Sequence, residues 1–249
     1  MISATLLSKN SERHLRQVLE ALAPFDEVLL YDNGSTDKTL SLASAYPNVT
    51  LKQGPFLGFG PTHNEASRLA RNNWIFSVDT DEIPSPELLQ EILSLKLTRG
   101  HVYTASRHNV YRGRHIKGCG WHPDRVPRLY HRLDTRFTDA QVHERIITKN
   151  LDVVDLKSPL YHYSYDNISD FLTKMNRYSE LFAQDNQGKP SSPCKAILHG
   201  AAAFLKSYFL KRGFLDGYPG FIISVYNGHT AFYKYLKLYE RNLNQISTP

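Results

Sequence analysis

The sequence predicts an α/β protein, in which a sheet flanked by helices is followed by a helical extension. In roughly the first hundred residues, short apolar runs alternate with helical patterns, which is typical of a parallel sheet covered by helices. After Tyr165 the apolar residues change to helical spacing, beginning with Ile168, Phe171 and Leu172. Two acidic motifs directly follow predicted strands, and ligands of such sheets bind beyond the carboxyl ends of the strands.

The individual elements are predicted in chain order from these patterns. Strands are expected over residues 3–7, 27–31, 49–52 and 73–79, and helices over residues 11–22, 38–45 and 62–72. Leu15, Val18 and Leu19 share one face of the first helix, and Ser11 is its expected cap. Residues 100–161 have the pattern of mixed strand and loop. Later helices are expected around residues 168–182, 196–211 and 221–241.

These patterns divide the chain into two domains. Residues 1–165 form the expected main domain, with halves over residues 1–99 and 100–165, and residues 166–249 form the helical extension. Cys119 and Cys194 suit neither a disulfide framework nor a zinc site, and they predict a reducing compartment. No apolar run approaches the roughly 18 residues of a membrane span, so the expected location is cytoplasmic.

Positive charge is concentrated in the C-terminal extension. The chain has a net charge of +6, and residues 195–249 contain seven basic and two acidic residues, which leaves +5 in that segment. This excess predicts an anionic partner, either lipid or nucleic acid. Basic and aromatic residues mixed on amphipathic helices favour an anionic membrane surface, and no nucleic-acid motif accompanies the charge. The alternative is a helical subdomain that packs its aromatic residues inward. The aromatic residues in question are Phe204, Tyr208, Phe209, Phe214, Tyr218, Phe221, Tyr226, Phe232, Tyr233, Tyr235 and Tyr239.

One of the two acidic motifs, Asp79-Thr80-Asp81-Glu82, closes the strand predicted at residues 73–79. Its carboxylates repel each other and lose hydration if they are buried. A divalent cation offsets that cost, and Mg²⁺ or Mn²⁺ is commonly held by one or two carboxylates together with substrate phosphates. In extended backbone Asp79 and Asp81 share one face. The motif therefore predicts a metal site that a phosphorylated substrate completes, with a solvated acidic loop as the alternative.

The other acidic motif, Asp32-Asn33-Gly34-Ser35-Thr36-Asp37, follows the second predicted strand. The Asn-Gly pair favours positive φ, and Ser or Asp favours the start of a helix, so a turn explains Gly34 and Ser35. A turn does not explain why Asp32 lies at the end of the strand. A carboxylate there can accept a hydrogen bond from a nucleobase imide or from ribose hydroxyls. Both motifs are expected to converge on one crevice.

Beyond these motifs, the chain resembles the family 2 glycosyltransferases, which have the nucleotide-sugar-binding GT-A fold. The matching segments of the first third are Ser8-Lys9-Asn10-Ser11-Glu12, Tyr31-Asp32-Asn33-Gly34-Ser35-Thr36-Asp37-Lys38-Thr39, Thr62-His63-Asn64-Glu65-Ala66 and Trp74-Ile75-Phe76-Ser77-Val78-Asp79-Thr80-Asp81-Glu82. Later segments are similar to the bacterial lipopolysaccharide inner-core β-glucosyltransferases: Gly118-Cys119-Gly120-Trp121-His122-Pro123-Asp124, Arg128-Leu129-Tyr130, Val142-His143-Glu144-Arg145-Ile146 and Gly213-Phe214-Leu215-Asp216-Gly217-Tyr218-Pro219-Gly220. The resemblance implies a GT-A-like, Rossmann-like mixed sheet.

The resemblance also implies roles for the acidic motifs. Asp32 would contact the uracil or ribose of a UDP-sugar donor. Asp79 and Asp81 would bind the nucleotide sugar and Mg²⁺ or Mn²⁺. Of these two, Asp81 is the expected direct metal ligand, and Asp79 is expected nearer the ribose or sugar. The role of Glu82 stays open, because many relatives carry another residue there.

Further site residues are expected in the second half of the main domain. An inverting transfer needs a carboxylate opposite the leaving diphosphate to take the proton of the attacking hydroxyl, and Glu144 fits that role, with Asp139 as the competing base. His143 either positions substrate, approaches the metal or is a structural histidine. Arg128 is the expected phosphate contact, because arginine suits bidentate phosphate binding. Trp121 either stacks on an acceptor sugar or is simply buried.

The predicted function is inverting, metal-dependent transfer of a hexose onto a lipid-linked lipopolysaccharide core oligosaccharide. The expected donor is UDP-glucose, and the expected place is the inner face of the cytoplasmic membrane. One alternative is a nucleotidyltransferase on a related sheet, although its expected Gly-rich loop is replaced by Ser8-Lys9-Asn10-Ser11-Glu12. Another alternative is a non-catalytic membrane or nucleic-acid adaptor built on an inactive glycosyltransferase fold.

Overall fold

The structure, a computed structural model, describes residues 1–140 and 144–246. The prediction for His143 therefore lies outside the described residues. The chain divides into two compact units, one of Met1–His108 with Asp124–His162 and the other of Asn109–Pro123 with Tyr163–Pro249. We call the first the sheet unit and the second the helical unit. The division into two units is based on contacts and does not test the domain boundary expected at residue 165, which stays a prediction.

Strands and helices alternate along the first half of the chain. Strands β1 to β4 span Ile2–Ser8, Glu27–Asp32, Val49–Gln53 and Trp74–Ser77, and helices α1 to α3 span Glu12–Ala21, Thr39–Ala43 and Phe59–Leu69. There follow β5 (Glu82–Pro84), α4 (Pro86–Ser94), β6 (His101–Tyr111), β7 (Arg114–His115), β8 (Arg125–His131) and β9 (Asp152–His162). The predicted alternation is confirmed, as is the mixture of strand and loop over residues 100–161.

The strands form a mixed sheet in the order β3-β2-β1-β4-β8-β6-β9-β5, with β7 paired to β6. β1 is parallel to β2 and β4, and β2 is parallel to β3, so the carboxyl ends of these strands lie at one edge. β8 is antiparallel to β4 and β6, and β5 is antiparallel to β9. The predicted fold class, a mixed sheet with flanking helices and a C-terminal helical extension, is confirmed.

The core of the sheet unit lies between the sheet and its helices. β2 is buried along its whole length, as expected of a strand that is covered on both faces. Leu15, Val18 and Leu19 of α1 are buried in one cluster with Val28 and Leu30 of β2. This contact confirms the predicted apolar face of α1, and it fixes the helix over the strands that lead to the acidic motifs.

Two local expectations differ from the structure. Within the described residues, Ser11 makes no side-chain cap of α1, so that prediction is wrong. The Ser11 hydroxyl instead accepts hydrogen bonds from the Lys9 N–H at 3.3 Å and from the Thr80 hydroxyl at 3.1 Å. The strand β5 was not expected, because a short segment with Glu82 and Pro84 has weak strand propensity. Its place at the end of the sheet suits proline, which has no N–H to donate.

The helical unit contains α5 (Ile168–Asp185), α6 (Pro193–Leu205) and α7 (Gly217–Ile246), with a π-helical turn at Lys206–Leu210 and a 3₁₀ turn at Gly213–Asp216. The predicted helices are therefore confirmed. Gly200 and Gly228 allow α6 and α7 to pack closely, because a Cβ on Gly200 would lie 3.2 Å from the Gly228 carbonyl oxygen. Among the described residues, none of the helices has both the length and the apolar character needed to span a membrane.

Candidate active site

The loops after β1, β2 and β4 are joined by hydrogen bonds at the carboxyl edge of the parallel strands. The Asn10 N–H donates to the Ser35 hydroxyl at 2.8 Å, and the Thr36 N–H donates to the side-chain oxygen of Asn10 at 2.8 Å. The Thr80 hydroxyl donates to the Ser11 hydroxyl at 3.1 Å. These bonds bring together the loops that carry the sequence motifs of the first third of the chain.

Asp32 lies at the end of β2 and is fully buried. One carboxylate oxygen accepts hydrogen bonds from the hydroxyls of Ser8, at 2.9 Å, and Ser35, and the other accepts from the N–H groups of Gly34 at 3.0 Å and Ser35 at 2.9 Å. Burial opposes ionisation, but these hydrogen bonds outweigh it and lower the pKa of Asp32. Gly34 has a φ of 89°, which fits the turn expected for the Asn-Gly pair. Asp32 thus stabilises the loop after β2.

A buried arginine, Arg128 of β8, connects two carboxylates at the end of β4. Its Nη2 donates to Asp79 Oδ2 at 2.7 Å and to Glu82 Oε1 at 2.5 Å. Glu82 is fully buried, whereas 39% of the Asp79 side chain is exposed. Desolvation opposes ionisation of Asp79, but the charge of Arg128 outweighs it and lowers the pKa of the Asp79 carboxyl. Arg128 therefore keeps Asp79 ionised, and its predicted contact with phosphate stays a prediction.

Glu82 belongs to a wider ion-pair network that the sequence did not reveal. Its Oε1 also lies 3.3 Å from Nη1 of Arg107 on β6, and Arg107 Nε donates to Asp124 Oδ2 at 2.8 Å. The Asp79 N–H donates to Glu82 Oε2 at 3.2 Å. Both oxygens of Glu82 are thus bonded within the protein. Glu82 supports the Asp79 loop and holds Arg128. The sequence marked Arg128 as a phosphate contact but did not predict its pairing with Glu82, because the two residues are far apart along the chain.

Asp81 lies next to Asp79 and is also partly exposed. About a third of its side chain, 35%, is accessible, and its Oδ2 lies 3.6 Å from His162 Nε2 at the end of β9. Asp79 and Asp81 offer carboxylate oxygens, which are the hard ligands that Mg²⁺ and Mn²⁺ prefer. The two side chains therefore fit a divalent cation by their chemistry and their exposure.

His63 of α3 lies close to the same carboxyl edge of the parallel strands. The side chain is buried and stacked on Phe137, with ring centroids 4.3 Å apart, and Nδ1 lies 3.4 Å from the Ser77 hydroxyl. Burial lowers the pKa of His63 to about 4, with Asp79 opposing and Arg128 adding to the shift. His63 is therefore neutral at neutral pH. The sequence placed it in a motif but gave it no role.

The next residue of α3, Asn64, holds the segment that precedes Glu144. Its Nδ2 donates to the Phe137 carbonyl oxygen at 3.0 Å, and its Oδ1 accepts from the Phe137 N–H at 2.9 Å. Gly60 lets α3 approach the same segment, because a Cβ there would lie 1.8 Å from a backbone oxygen of Thr138. Glu144 itself is half-buried. The motif on α3 thus positions Phe137 and Thr138, a few residues before the predicted base in the sequence.

Asp139, the competing base, is exposed and bound to an arginine. Its carboxylate accepts hydrogen bonds from Nη1 and Nη2 of Arg136 at 2.5 and 2.9 Å. This pairing lowers the pKa of Asp139. A carboxylate with a lowered pKa is a weaker proton acceptor, which weakens the case for Asp139, and the role of Glu144 as base stays a prediction.

The glycine-rich motifs of the middle and the tail lie together in the helical unit. Asp216 is buried and accepts hydrogen bonds from the N–H groups of Lys117 at 3.4 Å and Gly118 at 2.6 Å. The Cys119 N–H donates to the Lys211 carbonyl oxygen at 2.9 Å. The two segments therefore pack against each other. The sequence had presented them as separate motifs.

Trp121 is part of the first of these motifs and belongs to an aromatic cluster of the helical unit. Its ring is half-buried and stacked on Tyr165, with centroids 5.7 Å apart and an interplanar angle of 19°. Tyr165 in turn stacks on Phe171 at 4.0 Å. The expected stacking of Trp121 on an acceptor sugar stays a prediction, and the observed partners show that the ring also contributes to packing.

The family match covers the strands and loops that build this edge. Residues 4–151 match the model of glycosyl transferase family 2. The chain therefore belongs to glycosyl transferase family 2, and it is a glycosyltransferase. The mixed sheet and the family agree with the GT-A-like class expected from the sequence. Membership also speaks against the nucleotidyltransferase that was the first alternative.

Curated relatives match almost the whole chain. The uncharacterized glycosyltransferase RT0209 of Rickettsia typhi is 28% identical over 257 residues, which cover 97% of this chain and 88% of that protein. The lipopolysaccharide core biosynthesis glycosyltransferase LpsC of Rhizobium meliloti is 28% identical over 253 residues, which cover 97% of this chain and 93% of that protein. The likeness thus includes the helical unit as well as the sheet unit.

Two solved structures illustrate the more distant likenesses. S. aureus TarS 1–349 in complex with UDP-GlcNAc covers 98% of this chain and 91% of its own, with 16% identity and a TM-score of 0.48. Glucosyl-3-phosphoglycerate synthase from Mycobacterium tuberculosis, in complex with Mn²⁺, UDP and phosphoglyceric acid, covers 77% of this chain and 80% of its own, with 18% identity and a TM-score of 0.47. At this distance their ligands are properties of those proteins.

Proposed function

We propose that this glycosyltransferase is inverting and metal-dependent, and that it transfers glucose from UDP-glucose onto a lipopolysaccharide core oligosaccharide. The observation that carries the proposal is the pair of partly exposed carboxylates, Asp79 and Asp81, directly after β4 in a chain of this family. Two hard oxygen ligands at the carboxyl edge of parallel strands suit a cation together with the diphosphate of a nucleotide.

The donor would lie along the edge built by the loops after β1, β2 and β4. Asp32 is proposed to lie at the uracil or ribose of the donor. Its oxygens are already bonded to Ser8, Gly34 and Ser35, so it would act chiefly through the loop that it stabilises. Asp81, with Asp79 beside it, would hold Mg²⁺ or Mn²⁺. The bound cation would neutralise charge on the leaving diphosphate. Arg128 contributes by keeping Asp79 ionised and in place.

Glu144 is proposed as the general base of the transfer. Its carboxylate accepts the proton of the acceptor hydroxyl while that oxygen attacks the anomeric carbon from the side opposite the diphosphate. The new glycosidic bond forms as the bond to the diphosphate oxygen breaks, and the electron pair of that bond leaves with UDP. The anomeric configuration is inverted by this attack. Asn64 supports the base indirectly, through its pair of hydrogen bonds to Phe137.

The acceptor and the place of reaction are proposed from the relatives and the charge of the chain. The name of the Rhizobium meliloti relative supports a lipopolysaccharide core acceptor. Such an acceptor is linked to lipid, which is consistent with the +5 charge of residues 195–249. We therefore propose a cytoplasmic enzyme in peripheral contact with the inner face of the cytoplasmic membrane, without nucleic acid as a partner.

Turnover with defined donors tests the proposal. Purified protein is incubated with Mg²⁺ or Mn²⁺, a core oligosaccharide acceptor and UDP-glucose, UDP-galactose or UDP-GlcNAc in parallel, and released UDP and product mass are measured. We expect UDP release and a gain of one hexose with UDP-glucose, and a β-linkage in the product. A product with retained configuration, or transfer that is faster from another donor, would contradict the corresponding part of the proposal.

A further inference from the structure

The helical unit exposes large apolar side chains from α6 to the beginning of α7. The exposed fractions reach 70% for Leu198, 79% for Leu210 and 65% for Leu215. Single exposed leucines are ordinary on protein surfaces, but a continuous apolar patch marks a site of interaction.

One part of the surface is a face of α6. Ile197, Leu198, Ala201 and Leu205 are exposed and recur at helical spacing, so they share one side of the helix. Ile197 and Ala201 also line an apolar groove of about 390 Å³ between α6 and α7. An amphipathic helix normally turns its apolar side to the core, and here much of that side is turned to solvent.

The other part is a cluster at the end of α6, which we call the apolar tip. The Tyr208 ring contacts the rings of Phe209, Phe214 and Phe221, with centroids 5.1, 6.3 and 6.1 Å away. These contacts join the π-helical turn, the 3₁₀ turn and the beginning of α7 into one patch. The members of the apolar tip are 45% to 79% exposed, and they are Leu205, Phe209, Leu210, Phe214, Leu215 and Phe221.

The exposed charges along residues 205–221, the segment that carries the apolar tip, all have one sign. Lys206, Lys211 and Arg212 lie between its members and are exposed. Residues 193–215 contain no acidic residue, and the next acidic residue, Asp216, is buried against the N–H groups of Lys117 and Gly118. The surface is therefore both apolar and cationic.

We propose that the apolar tip and the adjoining face of α6 insert into the surface of an anionic lipid bilayer. Leucine and phenylalanine side chains would enter the boundary between headgroups and acyl chains, while the basic side chains bind lipid phosphates. This deepens the peripheral association proposed above, on which it rests, by assigning it to defined residues. A symmetric pairing with a second copy fits less well, because it would bring the same basic side chains of both copies together.

Vesicle binding of the full chain tests this inference without any turnover, so its failure and that of the proposed transfer are distinguishable. Co-sedimentation is measured with vesicles of phosphatidylcholine alone and of phosphatidylcholine mixed with phosphatidylglycerol. We expect binding to the mixed vesicles that weakens at high salt. Leu210→Ser with Leu215→Ser should lower the partition coefficient by roughly tenfold for each leucine. Lys206→Gln with Arg212→Gln should lower it by about fivefold for each charge.

Matched variants in the sheet unit serve as controls. Leu133 is 68% exposed there, so Leu133→Ser removes a comparable side chain from another surface. Lys52→Gln with Lys149→Gln removes two exposed charges in the same way. These controls should bind mixed vesicles within about twofold of wild type, since the interaction is assigned to the helical unit.

Three results would overturn the inference. Wild-type protein that does not sediment with mixed vesicles is one of them. Another is equal binding by wild type and the Leu210, Leu215 double variant. The third is a wild-type dimer in vesicle-free light scattering that the double variant converts to a monomer, since that result would assign the surface to self-association.

Discussion

The edge of the sheet unit buries charged groups, whereas the surface of the helical unit exposes apolar groups. At the edge, charged groups such as Glu82 and Arg128 are buried, and each is bonded to a partner of opposite charge. On the helical unit, apolar groups such as Leu210 are exposed, with basic residues on either side. Burying an unpaired charge and exposing a connected apolar patch are both unfavourable.

The comparison shows how to separate residues that hold the fold from residues that meet a partner. Where a polar group is buried and fully bonded, as for Asp32 and Glu82, its removal should cost stability. Asp79 and Asp81 stay partly exposed at the same place, and we propose that they contact a ligand. Where an apolar side chain is exposed, its removal should leave stability unchanged and affect only binding.

The largest expected effect is on turnover. Glu144→Gln should lower kcat by about a hundred- to ten-thousandfold, because general-base catalysis contributes rate enhancements of that size. The affinity for UDP should stay unchanged, since the base acts on the acceptor. Steady-state kinetics with UDP-glucose measure the first quantity, and calorimetry measures the second.

Asp139→Asn is the matched control for this prediction. Asp139 is exposed and paired with Arg136, so its replacement should leave kcat within about twofold of wild type if Glu144 is the base. A large loss of kcat in Asp139→Asn together with a fully active Glu144→Gln would reverse the assignment.

Breaking the buried ion-pair network should cause the next largest effect. Arg128→Met leaves Asp79 and Glu82 without their shared partner and should lower the free energy of unfolding by about 3 kcal/mol. We take the lower end of the usual range because Arg107 still faces Glu82 at 3.3 Å. Urea denaturation measures the change. Arg68→Met breaks an exposed pair with Glu65 and should leave the midpoint where it is.

An unchanged midpoint in Arg128→Met would mean that the carboxylates at the end of β4 need no charged partner. That result would contradict the statement that the buried charges at the edge of the sheet unit depend on their pairing, because it would show that the edge tolerates them unpaired. The variant should also bind UDP less well, since Asp79 loses the group that holds it.

His63 predicts a dependence of stability on pH. Its pKa is lowered by burial from 6.5 to about 4, so the unfolded state binds the proton more tightly. The stability that the protein has with His63 neutral is fully present above pH 6.5 and is lost as the pH falls toward 4. The loss in free energy of unfolding reaches about 3 kcal/mol. The free energy of unfolding of wild type should therefore fall across this interval more steeply than that of His63→Gln.

The difference between the two proteins isolates His63, because burial also lowers the pKa of His131 and contributes to both curves. Parallel curves for wild type and His63→Gln between pH 6.5 and pH 4 would show that His63 is not buried in its neutral form.

The smallest expected effect is that of a substitution in the apolar tip on the free energy of unfolding of the protein. Leu210 is 79% exposed, so Leu210→Ser should change the free energy of unfolding by no more than about 0.5 kcal/mol. Leu29, fully buried in β2, is the matched control, and Leu29→Ala should cost about 2–5 kcal/mol. Thermal and urea unfolding measure both. A large loss in Leu210→Ser would mean that the tip packs inside the protein.

Most of the sheet could be predicted because its signals are local. Buried runs such as β2, followed directly by polar turns, mark both the strand and its carboxyl end. The strand β5 could not be predicted, because Glu82 and Pro84 oppose strand formation and only pairing with β9 makes the segment extended.

In the candidate site, too, the local signals could be read from the sequence and the contacts between distant segments could not. The sequence marks Asp79 and Asp81, but it does not mark the bonds from Arg128 and Arg107 to Glu82, because β8 and β6 come beside that loop only in the folded sheet. In the helical unit, apolar spacing predicts the helices, yet it does not tell which apolar face is exposed. Leu210 and Leu215 therefore became apparent only from the structure.

The central claim is that Asp79 and Asp81 bind a nucleotide diphosphate through a divalent cation. Calorimetric titration of UDP, with Mn²⁺ or with a chelator, tests it on wild type, Asp81→Asn and the control Asp152→Asn, whose carboxylate is 84% exposed on the same unit. We predict binding that requires Mn²⁺, a loss of at least about tenfold in affinity for Asp81→Asn, and no change for Asp152→Asn. Equal affinity with and without the metal, unchanged in Asp81→Asn, would contradict the claim.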